Sequence, residues 1–491
     1  MLLAFVILYL LVSVAIGLWA ATKVHNARDY IVAGRNLPFI VVLAMVFATW
    51  FGSETVLGIS ATFLKEGLVG LASDPLGASL CLVLFGLIFA RPLYRMNLLT
   101  LGDFFRRRFS PTIEIVLSFC IVISYLGWVG AQFAALGVVF NVLSDGAISQ
   151  NAGILIGGAV VLVYTVFGGM WSVAWTTFIQ MILIVVGLLL VAYFAGEKAG
   201  GVAAVLDHAK AAGKLEGFPS LADPQAVVTW FAALVTMALG SIPQQDVFQR
   251  VNSSKNEFVA VWGTTLGGVA YFLFAAVPLF IAYSATVIDP ETTAKLLQED
   301  PQLILPTLVT VEMPLWLQIV FFGALLSVIM STASGTLLAP SVTFTENVVK
   351  SVWPGMSDQK LLRTTRWTVV AFAALVTAYA LSTNDSIHKM VENAYRVTLA
   401  GAFVPLAFGI FWRRATNFGA TMAVVTGLGV WLFGEFYLPE MAIEPQVIGM
   451  LAAAVAMVVG SLFGPKAPTP PDEVPRHRTH HAAAATHHVP Y

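Results

Sequence analysis

The 491-residue sequence predicts an all-α membrane protein with 13 transmembrane helices, ten of them forming two five-helix units of opposite orientation. Three observations carry this reading. The chain is 58% hydrophobic and only 11% charged, whereas a soluble domain carries roughly 25% charged residues. Its apolar residues come in long runs, and about 20 such residues cross a bilayer. Two of the runs are broken by glycine, proline and polar residues at corresponding places in the chain. The composition excludes a soluble enzyme and a disordered chain. Lys+Arg 26 against Asp+Glu 27 leaves no basic excess for phosphates, so nucleic acid is not an expected partner. Cys81 and Cys120 lie inside apolar runs and give neither a disulfide framework nor a zinc pattern.

Apolar runs between charged breaks place the spans at 2–21, 38–64, 68–91, 112–142, 152–168, 173–195, 226–249, 258–284, 314–346, 365–383, 388–412, 416–436 and 445–464. The first lacks a basic leader and a cleavage site, so it reads as a retained helix rather than a signal peptide. The loops then sort the basic residues. With the N-terminus outside, 19 of the 26 Lys and Arg residues fall on the inner side, six on the outer side, and Arg396 within a span. Basic loops stay inside, which predicts N-out, C-in. Adding or removing one helix would scramble that division, so it also supports the count. Compact loops and the absence of an organelle signal give a bacterial inner membrane as the expected location. The organisation is a first helix at 1–21, one five-helix unit at 38–195, a second at 226–412, and two last spans at 416–464. The tail, 465–491, is Pro-rich and then His-rich, and reads as disordered and cytoplasmic. The long outer loops, 196–225 and 285–313, read as solvated surface.

The interruptions point to function. Span two runs Ala48-Thr49-Trp50-Phe51-Gly52-Ser53-Glu54-Thr55, with Gly58 close behind. Span seven runs Gly240-Ser241-Ile242-Pro243-Gln244-Gln245-Asp246. Glycine and proline stop a helix there. Unwound backbone is tolerated at membrane depth only where it lines a covered or wet cavity. Span two is directed outward and span seven inward, which makes spans 2–6 and 7–11 an inverted repeat. Secondary transporters place their site between two such breaks. In span nine, Ser327, Ser331, Ser334, Ser341 and Thr345 fall within about 40° of one line at 100° per residue. Such hydroxyls often bond back to their own helix. The adjacent pair Ser331-Thr332, together with carbonyls from an unwound helix, would also make an all-oxygen site suited to sodium.

Several stretches resemble the sodium:solute symporter family, which includes sodium-coupled carriers of proline, galactose, pantothenate and choline. They are Phe167 to Thr176 with Gln180, Leu326 to Ser334, Phe248-Gln249-Arg250, and Pro405 to Arg414. The resemblance extends over essentially the whole chain. It implies a LeuT-type fold, sodium as the coupling ion, a small organic solute as cargo and no other cofactor. It also implies a sodium site made by the carbonyls of Ala48, Phe51 and Val328 and the hydroxyls of Ser331 and Thr332. Proline carriers have an aspartate where this chain has Trp50, which puts a carboxylate-assisted sodium entry route in doubt.

For the solute, Ala48-Thr49-Trp50, Trp128, Asp74 to Leu80, and Gly240 to Pro243 resemble the choline-carrier branch. This implies choline or a related quaternary amine facing Trp50 and Trp128, where each desolvated cation–π contact contributes up to about 2 kcal/mol. Gln244 stands where that branch has an aromatic residue, so the cage is incomplete. Three charges within spans add candidates, because such charges are costly in a bilayer. Glu54 and Asp74 either meet a cationic solute or serve the structure. Arg396 either meets a carboxylate or pairs with Glu392 one turn earlier. Asp246, Arg250 and Arg108 are expected near the inner mouth, where ion pairing would gate it.

The expected activity is sodium-coupled uptake by alternating access, and not enzyme catalysis. The alternatives are a sodium/proline-type amino-acid symporter and a transporter-like solute sensor. No fused output domain is expected after the last span, so a sensor would need a separate signalling partner.

Overall fold

Several helices start where the sequence supplies a side-chain cap. Ser110 accepts from the Ile113 amide at 3.3 Å, Asp223 from Ala226 at 3.1 Å, and Asn256 from Val259 at 2.9 Å. Each satisfies an amide that the first helical turn leaves free. The structure is a computed structural model and describes residues 2–383, 385, 387–438 and 443–465, with the side chains of Leu2, His388 and Glu392 outside that set. The expected disordered tail falls, beyond Pro465, outside the described residues.

The principal helices are α1 Leu2–Ala21, α2 Phe39–Trp50, α3 Glu54–Arg95, α4 Pro111–Leu143, α5 Gln150–Lys198, α6 Pro224–Gly240, α7 Gln245–Asn252, α8 Glu257–Ile288, α9 Leu315–Val352, α10 Asp358–Ser382, α11 Lys389–Phe411, α12 Asn417–Tyr437 and α13 Pro445–Phe463. Among the described residues, ten helices are long and apolar enough to cross a membrane, or 11 if the bent pair α6–α7 is one span. The difference from the 13 spans expected has a physical origin. The 12 residues of α2 are too few to cross alone. The 42 residues of α3 and the 49 of α5 each form one helical stretch with an internal break. In α3 the breaks are Gly67, at φ 74°, and Asp74, at φ −138° and ψ 126°. In α5 the break is Gly169, at φ 49° and ψ −138°. A side chain is strained at that φ, and a Cβ there would lie 2.5 Å from the Tyr30 carbonyl oxygen, so only glycine fits.

Both interruptions expected at membrane depth are present. The first leaves 51–53 between α2 and a π-helical turn, Glu54–Gly58. The second bends α6 against α7 by 45°. The described residues form no strand. One isolated bridge, Leu37 N to Ser253 O at 2.9 Å and Lys255 N to Leu37 O at 3.0 Å, ties the start of α2 to the end of α7. Helices α1, α4, α5 and α9 pack on one another, and α2, α3, α6 and α8 form a second group. The α12–α13 pair packs through small residues, with a Cβ on Gly449 falling 2.6 Å from the Gly427 carbonyl. The regions read as outer loops contain the helices Val202–Ala211, Pro290–Glu299 and Ile304–Glu312. Glu312 there pairs with Lys198. Large apolar side chains face outward, Leu273 at 68% and Phe463 at 83% exposure. A water-facing surface does not carry them in such density.

Candidate functional site

The break after α2 frees backbone carbonyls. In an unbroken helix the Gly52 amide would donate to Ala48, but it donates to Trp50 O at 2.8 Å. The Ser53 amide turns to Gln132 Oε1 at 3.1 Å. Into this gap reaches Thr332 of α9, whose hydroxyl donates to Ala48 O at 3.1 Å and lies 3.4 Å from Phe51 O. One residue earlier, the Ser331 hydroxyl donates to Val328 O at 2.9 Å. Of the five positions expected to hold sodium, Thr332 thus meets Ala48 and Phe51 across two helices, Ser331 bonds Val328 within α9, and all five residues are fully buried. The set is neutral and all-oxygen, which suits a hard monovalent cation at a broken helix. The second break is treated alike. Thr398 donates to Gly240 O at 2.7 Å, where α6 ends.

Beside the first break lies an acidic, aromatic cluster. Trp128 and Gln132 are one turn apart on α4 and face the same carboxylate. Trp128 Nε1 donates to Glu54 Oε1 at 3.0 Å, and Gln132 Nε2 donates to Glu54 Oε2 at 2.7 Å. Trp50 stacks on Trp128 with ring centres 4.5 Å apart at 19°. Tyr125 also stacks on Trp128, with ring centres 5.8 Å apart at 19°. Tyr395 meets Trp50 edge-on at 5.4 Å and Trp128 at 5.7 Å. Asp74 accepts from the Tyr271 hydroxyl, which lies 3.2 Å from Thr55 Oγ1.

A pocket opens next to this cluster. Its polar lining is Glu54, Ser73, Asp74, Thr236 and Tyr395, and its apolar lining is Ala233, Met237 and Val391. Glu54 is 1% exposed and Asp74 4%. Among the described residues, no Lys, Arg or His lines the pocket. Of the expected solute residues, Glu54 and Asp74 therefore face one cavity. Trp50 and Trp128 stand behind it with their facing surfaces in mutual contact. Gln244 takes no part in the lining; it bonds Ser124 at 3.1 Å and Thr398 at 3.5 Å. The aromatic side chain that does line the pocket, Tyr395, was not among the expected candidates. Nor were Tyr271 and Gln132. A signal existed for Gln132, which follows Trp128 by four residues on the same helix face.

The charges near the expected inner mouth divide. Asp246 and Arg250 form a pair at 2.5 Å, each 1% exposed. The Tyr125 hydroxyl donates to Asp246 at 2.6 Å and accepts from its amide at 2.9 Å. Arg108 joins no acid there. It donates to the carbonyls of Gly409 at 2.8 Å and Trp412 at 3.2 Å. Arg396 pairs with Glu435 of α12 at 3.0 Å, and the side chain of Glu392, its expected partner, is outside the described set. Among the described residues, no group of three or more His, Cys, Asp or Glu could hold a metal ion.

Two helices broken at membrane depth, their freed carbonyls met by hydroxyls from distant helices, and a pocket beside the break define a secondary transporter. A family model, the sodium:solute symporter family, matches residues 30–427, and the chain belongs to that family. It is an integral membrane transporter and not an enzyme. It is similar to the human high affinity choline transporter 1, with 28% identity covering 89% of this chain and 77% of the relative. It is also similar to the sodium/proline symporter of Haemophilus influenzae, at 25% identity and 94% of each chain. In fold it matches a sodium-coupled sialic acid symporter with a TM-score of 0.81 at 17% identity, covering 95% of this chain and 99% of the other.

Proposed function

We propose that the chain imports a small organic cation together with sodium, by alternating access. The observation that carries the cationic reading is the pocket itself, which is lined by two buried carboxylates and, among the described residues, no basic group. An amino-acid carrier would need a cationic or amide-rich surface for the solute carboxylate, and Arg396 is engaged by Glu435. Choline is the first compound to test, because choline transporters stand among the relatives. Sodium would bind at Ala48, Phe51, Val328, Ser331 and Thr332. Turning the Thr332 hydroxyl hydrogen away from Ala48 and Phe51 would offer an ion three oxygens at once. The ion would then hold α2 to α9 in place of the hydrogen bonds seen between them.

This reading includes 13 spans, with α3 and α5 each crossing twice about their internal breaks and α2 completing the second span. Spans 2–6 and 7–11 form the inverted repeat, and the N-terminus lies outside a bacterial inner membrane. The division of basic residues and the five-span separation of the two breaks support it. A 100 mV potential supplies about 2.3 kcal/mol per charge, and a tenfold sodium gradient about 1.4 kcal/mol. One sodium per cycle is therefore sufficient for accumulation of a few hundredfold. Uptake of labelled choline and proline into proteoliposomes, with and without an inward sodium gradient, tests the proposal. Accumulation of choline only with sodium is expected. Sodium-independent equilibration would replace the symporter with a passive carrier.

A further inference from the structure

Two atoms in the pocket have no partner. Asp74 Oδ2 and the Tyr395 hydroxyl are both buried and make no hydrogen bond, and both residues line the same cavity. The other carboxylate oxygens there are engaged. The Glu54 oxygens take one N–H each, from Trp128 and Gln132, and Asp74 Oδ1 takes the Tyr271 hydroxyl. A buried carboxylate oxygen without a donor is unfavourable and calls for one. Two buried carboxylates facing a cavity that, among the described residues, no basic side chain lines also call for positive charge from outside the chain. A quaternary ammonium brings charge but no N–H. A protonated amine brings both; Ala233, Met237 and Val391 form the apolar wall, and the cavity, about 10 Å³ and so the size of one water in this conformation, must widen to take its carbon chain.

Resting on the cation-uptake reading above, we propose that this pocket selects an aliphatic ammonium ion bearing N–H donors, docked on Asp74 with Tyr395 beside it. The class is primary and secondary alkylamines, as distinct from quaternary ones. The rings of Trp50 and Trp128, stacked face to face, fit this assignment, because they leave no open aromatic box for a trimethylammonium group.

The test uses the full chain and one graded series: ethanolamine, its N-methyl and N,N-dimethyl derivatives, and choline. The skeleton and charge stay constant while the N–H donors fall to none. Binding to the purified protein in sodium and sodium-driven uptake into proteoliposomes are both measured. Affinity is expected to fall along the series, ethanolamine exceeding choline by about tenfold or more, the worth of a charge-assisted hydrogen bond. Asp74→Asn should compress that ratio to about threefold or less, and Tyr395→Phe should reduce it in part. Choline bound as tightly as ethanolamine by the unaltered protein overturns the proposal, and that comparison needs no variant to fold. An unchanged order in Asp74→Asn, with a shifted sodium requirement, would assign the carboxylate to a metal cation and also overturn it. Sodium-driven uptake that favours choline defeats this assignment alone. Absence of sodium-driven uptake for the whole series defeats the cation-symport reading with it.

Discussion

Thr332 is the hydroxyl that joins the broken helix to α9, and its removal is the sharpest probe of the sodium reading. In the double variant Ser331→Ala, Thr332→Ala, two of the five candidate ligands disappear, along with the bonds at 3.1 Å to Ala48 O and 2.9 Å to Val328 O. A hydrogen bond or ligand contact to a charged partner contributes about 1.5–3 kcal/mol. Water can replace part of each lost contact, so the smaller figure is taken for the pair together. That is about tenfold in affinity, since about 1.4 kcal/mol corresponds to a factor of ten. The sodium concentration for half-maximal uptake should therefore rise at least tenfold. Transport at saturating sodium should be retained in part, because three carbonyl ligands remain. The assay is a sodium titration of uptake in proteoliposomes, at constant ionic strength and with matched protein insertion. A double variant that inserts normally and keeps the original sodium dependence would refute the assignment of these oxygens.

Three further outcomes follow from the geometry. Glu54→Gln leaves one oxygen for two N–H donors, Trp128 Nε1 and Gln132 Nε2, and removes a charge from the pocket; uptake of a cationic solute should fall by about tenfold more than binding of a neutral analogue, and equal losses would return Glu54 to a purely structural role. Arg250→Gln should destabilise the protein by about 3–5 kcal/mol, since it strands the buried Asp246 carboxylate; adding Asp246→Asn should recover much of the thermal stability, and a double variant no more stable than the single one would contradict the pairing. Gly169→Ala should lower the unfolding temperature in detergent, because a Cβ meets the Tyr30 carbonyl and ring where φ is 49°; the strain is about 1–3 kcal/mol, and an unchanged midpoint would show that the break in α5 tolerates a side chain.

What the sequence made legible is what glycine and proline dictate locally. The Gly52 break and the Gly240–Pro243 bend are both present: glycine weakens a helix locally and proline removes a backbone donor. Ser331 and Thr332 were legible as a hydroxyl pair in an apolar span. What remained hidden depends on distant partners. Asp74 and Tyr271 are 197 residues apart, and Glu54 and Trp128 74. A tyrosine in an apolar run looks the same whether it packs or lines a pocket, so Tyr395 gave no signal beside the conspicuous charge of Arg396. Gln244 was named for the aromatic it replaces. Its actual surroundings, Ser124 and Thr398, lie on other helices. The helices within the outer loops were missed because their apolar faces are short and mixed with charge.

The tryptophan stack bears on how the carrier lets go of its cargo. Trp50 and Trp128 already satisfy each other, and Tyr125 stacks on Trp128 as well. A molecule that wedges between them must first separate rings whose contact is worth about 0.5–1.5 kcal/mol. That stored preference acts as a closing spring. It shortens the residence of anything lodged between the rings. A substitution that deletes one ring, such as Trp50→Leu, would remove the spring and free the face of Trp128 that Trp50 now covers.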